Sequence, residues 1–177
     1  MLRRKNPAGL PSGRLEPTAS GRFAPDLAEP ERLVGLGFRY WMLGRMTGDI
    51  ACWERTWNLY SGVFGLCGAR LAVGTLSCWV AAVNRTAQRE IEVFPVACPG
   101  FCRDECIAVS MIAACQHNTC PALRASAFAL VECSMIDRVV DEAQAFADTM
   151  TGLEQRLSPH SIVAIAAVTP AANRLPS

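Results

Sequence analysis

Residues 98–120 read Cys98-Pro-Gly-Phe-Cys102-Arg-Asp-Glu-Cys106-Ile-Ala-Val-Ser-Met-Ile-Ala-Ala-Cys115-Gln-His117-Asn-Thr-Cys120, the most informative stretch of the chain. Pro99 follows Cys98 as a first-turn proline follows a cap. Ile107, Met111, Ile112 and the alanines between them suit a helix buried on several sides. One regular helix is therefore expected from Cys98 to about Asn118. At roughly 100° per residue, with Cys98 as zero, Cys102 and Cys120 fall near ~40°, Cys106 near ~80° and His117 near ~100°. These five residues share one stripe, whereas Cys115 falls near ~260° on another face.

A stripe of thiols admits three readings. Buried free cysteine packs as a small apolar residue. Thiolates with a histidine bind soft metals, Cu(I), zinc or an iron–sulfur cluster. A thiol at a helix start has its thiolate stabilised by the helix dipole, which makes Cys98 the best redox candidate. The stripe cannot make one metal site by itself, because Cys98 and Cys120 would lie about 33 Å apart along a continuous helix. Cys102 with Cys106, and His117 with Cys120, are expected half-sites that a facing helix would have to complete. The stripe is similar in spacing to the thiol stripes of copper-storage four-helix bundles. It lacks the dense cysteine repetition of that family, and no membership is assigned. Tandem Cys-x-x-Cys pairs and ferredoxin spacings are absent.

Outward from this stretch the chain reads as helices separated by glycine and proline. Pro30 with Glu31 marks a helix start. That helix is expected to run to about Met46 with Leu33, Leu36, Tyr40 and Leu43 on one stripe. Thr47-Gly48-Asp49 is a break and an N-cap. The next helix carries Trp53, Trp57, Tyr60 and Phe64 on one face, and Gly62, Gly65 and Gly68 obscure its end. A further helix from about Ala69 to Arg89 is expected to bury Leu71, Leu76, Trp79, Val80 and Val83. Ile91 to Val96 reads as an extended connector, because Pro95 interrupts its alternation. Pro121 starts a last helix, expected to continue to about Leu157 with Arg138 and Glu142 as a surface pair.

These elements predict an all-α protein, a compact bundle of about five helices. Residues 1–29, rich in proline and arginine and without apolar periodicity, are expected to be a disordered basic tail. Residues 30–158 are the bundle domain, and 159–177 an apolar C-terminal tail. Length supports one domain, large enough to fold without disulfide or metal.

The chain of 177 residues is 51% hydrophobic and 19% charged, with a formal net charge of +1. Such a balance gives no footprint for nucleic acid. The excess of apolar over charged residues points instead to burial in a core or against partners. Nine cysteines, an odd count, cannot all pair internally. With no apolar segment after the basic N-terminal residues, the expected compartment is the cytoplasm, where thiols stay reduced. A membrane span is not expected, because Arg70 divides the apolar run from Trp57 to Val83 into halves of about 13 residues.

No Glu-x-x-His pair suggests a di-metal carboxylate centre, and no phosphate loop or dinucleotide fingerprint is present. A non-enzymatic helical protein acting through self-association or partner binding is the leading expectation. A thiolate metal or redox protein using Cys98, Cys102, Cys106, His117 and Cys120 is the second. A membrane-attached helical protein is the third.

Overall fold

Pro30 lies in the first turn of α1 (Glu29–Thr47), where its missing N–H has no helical partner to lose. The computed structural model describes residues 29–163, and α1 is followed by α2 (Ile50–Thr86), α3 (Arg103–Gln116), α4 (Cys120–Val131), α5 (Asp137–Gly152) and a short 3-10 turn, Pro159–Ser161. The protein is all-α, a bundle of five helices, and no strand occurs among the described residues. Apart from Glu29, which belongs to α1, the expected N-terminal tail lies outside the described residues, as does most of the apolar run 161–168.

Asp49 caps α2, its carboxylate accepting from the Ala51 N–H at 2.9 Å. The two helices expected over 50–89 are one long element with a break inside it. Gly65 sits at φ 67° and ψ −179°, a backbone region open to glycine alone, and the axis kinks there. The helix expected from Pro121 to Leu157 is in fact two. Glu132 adopts the left-handed conformation at φ 50° and closes α4, and α5 begins at Asp137.

The expected helix over 98–118 is likewise shorter than its pattern. Cys98 and Pro99 belong to an irregular segment, residues 87–102, and α3 starts only at Arg103. The reason is polar. The Glu105 carboxylate reaches back to the Cys102 N–H at 2.7 Å and fixes Cys102, not Cys98, as the N-cap. At the other end Asn118 has φ 53°, which ends α3, so Cys120 opens α4 rather than continuing α3.

The helices form layers. α1 and α5 make the middle, with α2 on one side and α3 on the other. The far side of α3 is covered by α4, the 87–102 segment and the chain end, so every residue from Asp104 to Gln116 is buried. Trp79 of α2 joins the layers, lying 5.3 Å from Phe38 of α1 and stacked 5.5 Å from Phe146 of α5. Such pairs add to the area they bury.

On α1 the buried face is Leu33, Val34, Phe38 and Met42 rather than the expected stripe, whose Leu36, Tyr40 and Leu43 are only half-buried. The glycines rotate it. A side chain at Gly37 would strike the Tyr60 hydroxyl, and one at Gly35 would strike the Phe101 ring. These notches turn the glycine face of α1 inward, where large side chains from elsewhere fill it.

Candidate functional site

The irregular 87–102 segment is held by the two acidic residues that open α3. Glu105 receives Arg39 through both carboxylate oxygens, Nε at 2.6 Å and Nη2 at 2.9 Å. The same guanidinium donates to the carbonyls of Cys98, at 2.7 Å, and Gly100, and its centre lies 5.1 Å from the Phe101 ring. Asp104 receives Arg89 bidentately, both bonds at 2.7 Å, and the Glu92 N–H at 2.9 Å. Both carboxylates are buried and fully engaged. They build structure here and are not free to act as acids, bases or ligands.

The predicted site residues separate around this framework. Cys102, at the N-cap, donates its thiol to the Glu92 carbonyl at 3.1 Å. Cys106 lies one turn on, close enough that charge on Cys102 would oppose its own ionisation. The structure thus brings these two together as the spacing implied. Cys98 lies half-buried in the irregular segment, without the helix dipole that its redox reading required. His117, at the C-terminus of α3, spends its Nε2–H on the Leu157 carbonyl at 2.9 Å. Cys120 is exposed at the start of α4. The single stripe is therefore not formed, because α3 contains only Cys106 of its five members.

Burial governs the thiols. Desolvation pushes Cys102, Cys106 and Cys115 each up to about 12, since the thiolate loses water that backbone N–H groups replace only in part at Cys102 and Cys115. Among the described residues no group of three or more His, Cys, Asp or Glu side chains is placed to hold a metal ion. All nine cysteines are free, and five of them, Cys52, Cys102, Cys106, Cys115 and Cys133, are buried.

No family model matches the chain, and no curated protein or solved structure matches it significantly. The site must be read from its own geometry.

That geometry points away from the cysteine helix and toward α2. Among the described residues α2 alone is long and apolar enough to cross a bilayer, yet only 44% of its most apolar 18-residue window is buried inside the fold. Leu71, expected in the core, is 62% exposed, and Leu66 is 71% exposed. Between and beyond them Cys67, Arg70, Gly74 and Cys78 also face outward, and a side chain at Gly74 would meet open space. Beyond the Gly65 kink the opposite face, Ala69, Ala72, Leu76, Trp79 and Val80, is fully buried.

The result is a helix with one apolar face inside and a second outside. The second face was missed in the sequence because the hydrophobic pattern of a helix apolar all round does not mark which side the fold leaves open. The usable signal was the spacing of Cys67, Leu71, Gly74 and Cys78, four, three and four residues, which sets them on one side of the helix.

Proposed function

We propose that this protein works by association, with the outer face of α2 as the contact surface and a second copy of the chain as the partner. The observation that carries this reading is Leu66 and Leu71, two large side chains left 71% and 62% exposed on a helix whose other face is fully packed. Water tolerates single exposed leucines, but two set five residues apart, on an outer side of α2 that also exposes Cys67, Gly74 and Cys78, mark a surface that something covers. Charge favours a protein partner over lipid. Arg70 stands in the middle of the face, where a bilayer core would cost several kcal/mol for its charge, whereas a protein contact can leave its guanidinium in water at the rim. Among the described residues no catalytic constellation competes with the reading: Asp104 and Glu105 are engaged by arginines, Glu31 by the Ser158 N–H and the Ser161 hydroxyl, and His117 by a carbonyl.

Light scattering of the full chain under reducing conditions, over a wide concentration range, tests this. A concentration-dependent dimer that Leu71→Glu abolishes, with helicity retained, supports it. A monomer at every concentration overturns it, and so does recovery of the chain only with membranes or detergent.

A further inference from the structure

Residues 155–163 run back along α3 as a strap, and the bundle holds them by their main chain. At the C-terminal end of α3, Gln116 accepts the Leu157 N–H at 2.8 Å and donates to the Gln155 carbonyl at 2.9 Å. His117 donates to the Leu157 carbonyl at 2.9 Å. Glu31, at the start of α1, accepts the Ser158 N–H at 2.6 Å and the Ser161 hydroxyl at 2.8 Å. Ser110, in the middle of α3, accepts the Val163 N–H at 3.1 Å. All but the Ser161 bond are made to backbone groups, which nearly every residue type carries. Of the strap's side chains only Leu157 is buried, while Arg156, Pro159 and His160 are exposed. Main-chain bonds for affinity and a pocketed side chain for specificity are the means by which a groove recognises an extended peptide.

Two observations mark the strap as a replaceable occupant. The first is Glu31. Its side chain is 2% exposed, yet among the described residues its second oxygen, Oε2, meets no donor. A buried carboxylate oxygen without a donor is costly, so the groove offers a bond that the strap does not make. The second is the hinge. α5 ends at Gly152, and Glu154 stands at φ 61°, a left-handed conformation that residues with a side chain seldom adopt. That strain sits between the bundle and the strap, and lifting the strap relaxes it.

We infer that the surface of α3 and α1 beneath residues 155–163 is a peptide-binding groove, closed by its own strap, whose ligand is an extended segment of a partner protein. The chemistry of the resident strap states the pattern that segment needs: a leucine, a free N–H at the next residue and a hydroxyl four residues after the leucine. A further donor that reaches Glu31 Oε2 lets the partner outcompete the strap. Tethered beside its groove, the strap competes at an effective concentration on the order of millimolar, so the groove is shut at rest. The groove belongs to the layer opposite α2 and stands whether or not the outer face of α2 self-associates.

Fluorescence anisotropy of full-length protein with a labelled synthetic peptide, Glu-Gln-Arg-Leu-Ser-Pro-His-Ser-Ile-Val, which copies residues 154–163, is the test. Leu157→Ala removes the strap's anchor and leaves every residue of the groove in place. In that variant amide exchange at residues 155–162 is expected to rise about tenfold or more, and the peptide to bind about tenfold or more tighter than to the parent chain. The peptide with Leu157→Ala, and the chain with both Leu157→Ala and Gln116→Ala, are each expected to lose binding by about tenfold. Ser158→Pro is a second way to lift the strap should Leu157→Ala fail to fold. The φ of −65° at Ser158 suits proline, and the change removes the N–H that Glu31 accepts. Three results would each overturn the groove: a strap as protected in both variants as in the parent, no peptide binding by a folded chain whose strap has lifted, or binding that Gln116→Ala leaves untouched.

Discussion

Arg39 of α1 and Glu105 of α3, 66 residues apart in sequence, meet as an ion pair in which neither side chain has any solvent exposure. Two charges in so dry a place are tolerable only because the guanidinium has partners on every side: both Glu105 oxygens and the carbonyls of Cys98 and Gly100. The pair therefore does more than join two helices. It fixes the irregular segment in front of α3, and with it the position at which α3 begins.

Breaking that pair on one side leaves an uncompensated charge in the core. Arg39→Met and Glu105→Gln are each expected to destabilise the fold by about 3–5 kcal/mol. Against a total of about 5–15 kcal/mol this is severe. Urea denaturation followed by circular dichroism measures it. The double variant Arg39→Met/Glu105→Gln is expected to lose less than the two single losses added together, since it leaves no orphaned charge. Additive losses would show that the two residues act independently.

The notch at Gly37 gives a second test. Tyr60 is fully buried, and its hydroxyl donates to the Leu33 carbonyl at 3.2 Å, beside Gly37. Gly37→Ala drives a methyl into that hydroxyl and is expected to cost about 1–3 kcal/mol. Removing the oxygen with Tyr60→Phe gives part of the space back. The melting temperature of Gly37→Ala/Tyr60→Phe should therefore lie above the value that two independent losses predict.

Thiol chemistry separates the exposed from the buried. A thiol reagent at neutral pH should label Cys67, Cys78 and Cys120 first, and Cys102, Cys106 and Cys115 only on unfolding. The same burial predicts alkaline instability. Cys102, Cys106 and Cys115 are pushed up to about 12 in the fold, against a usual 9. Below pH 9 they are protonated folded and unfolded alike, and their contribution is intact. Between about 9 and 12 only the unfolded chain gives up these protons, so stability falls as pH rises. Cys115→Ala should flatten that slope, whatever it does to stability at neutral pH. An unchanged slope would assign the alkaline loss to other groups.

The chain end is tied down by polar bonds. Gln116 accepts the Leu157 N–H at 2.8 Å and donates to the Gln155 carbonyl at 2.9 Å, while buried Glu31 accepts the Ser158 N–H at 2.6 Å and the Ser161 hydroxyl at 2.8 Å. Gln116→Ala should leave the helices intact and cost about 1–3 kcal/mol, because the Leu157 N–H loses its partner. Hydrogen exchange should rise at residues 155–162 before it rises in α3. Equal exchange in the variant and the parent would show that the end is held by other contacts.

Much of the helical content could be read from local signals. Pro30, Asp49 and Pro121 mark helix starts because a missing N–H or a capping oxygen acts within one turn. The pair Arg138 and Glu142, at 3.0 Å on the surface of α5, follows from four-residue spacing alone. Helix ends were less legible. Glu132 and Asn118 adopt positive φ without being glycine, and Glu105 moves the start of α3 from Cys98 to Arg103 by bonding to the Cys102 N–H.

Sequence alone determined that the chain is helical, because apolar period, caps and breakers act over three or four residues and need no distant partner. Tertiary structure alone decided which sides of those helices meet water. Leu71 and Leu76, five residues apart, are both apolar and both expected in the core, yet Leu76 is sealed against α1 while Leu71 faces out. Likewise nothing local to Asp104 and Glu105 tells that Arg89 and Arg39 arrive from other parts of the chain to bury them. Burial is a property of what packs against a residue, and local pattern carries no record of the neighbour.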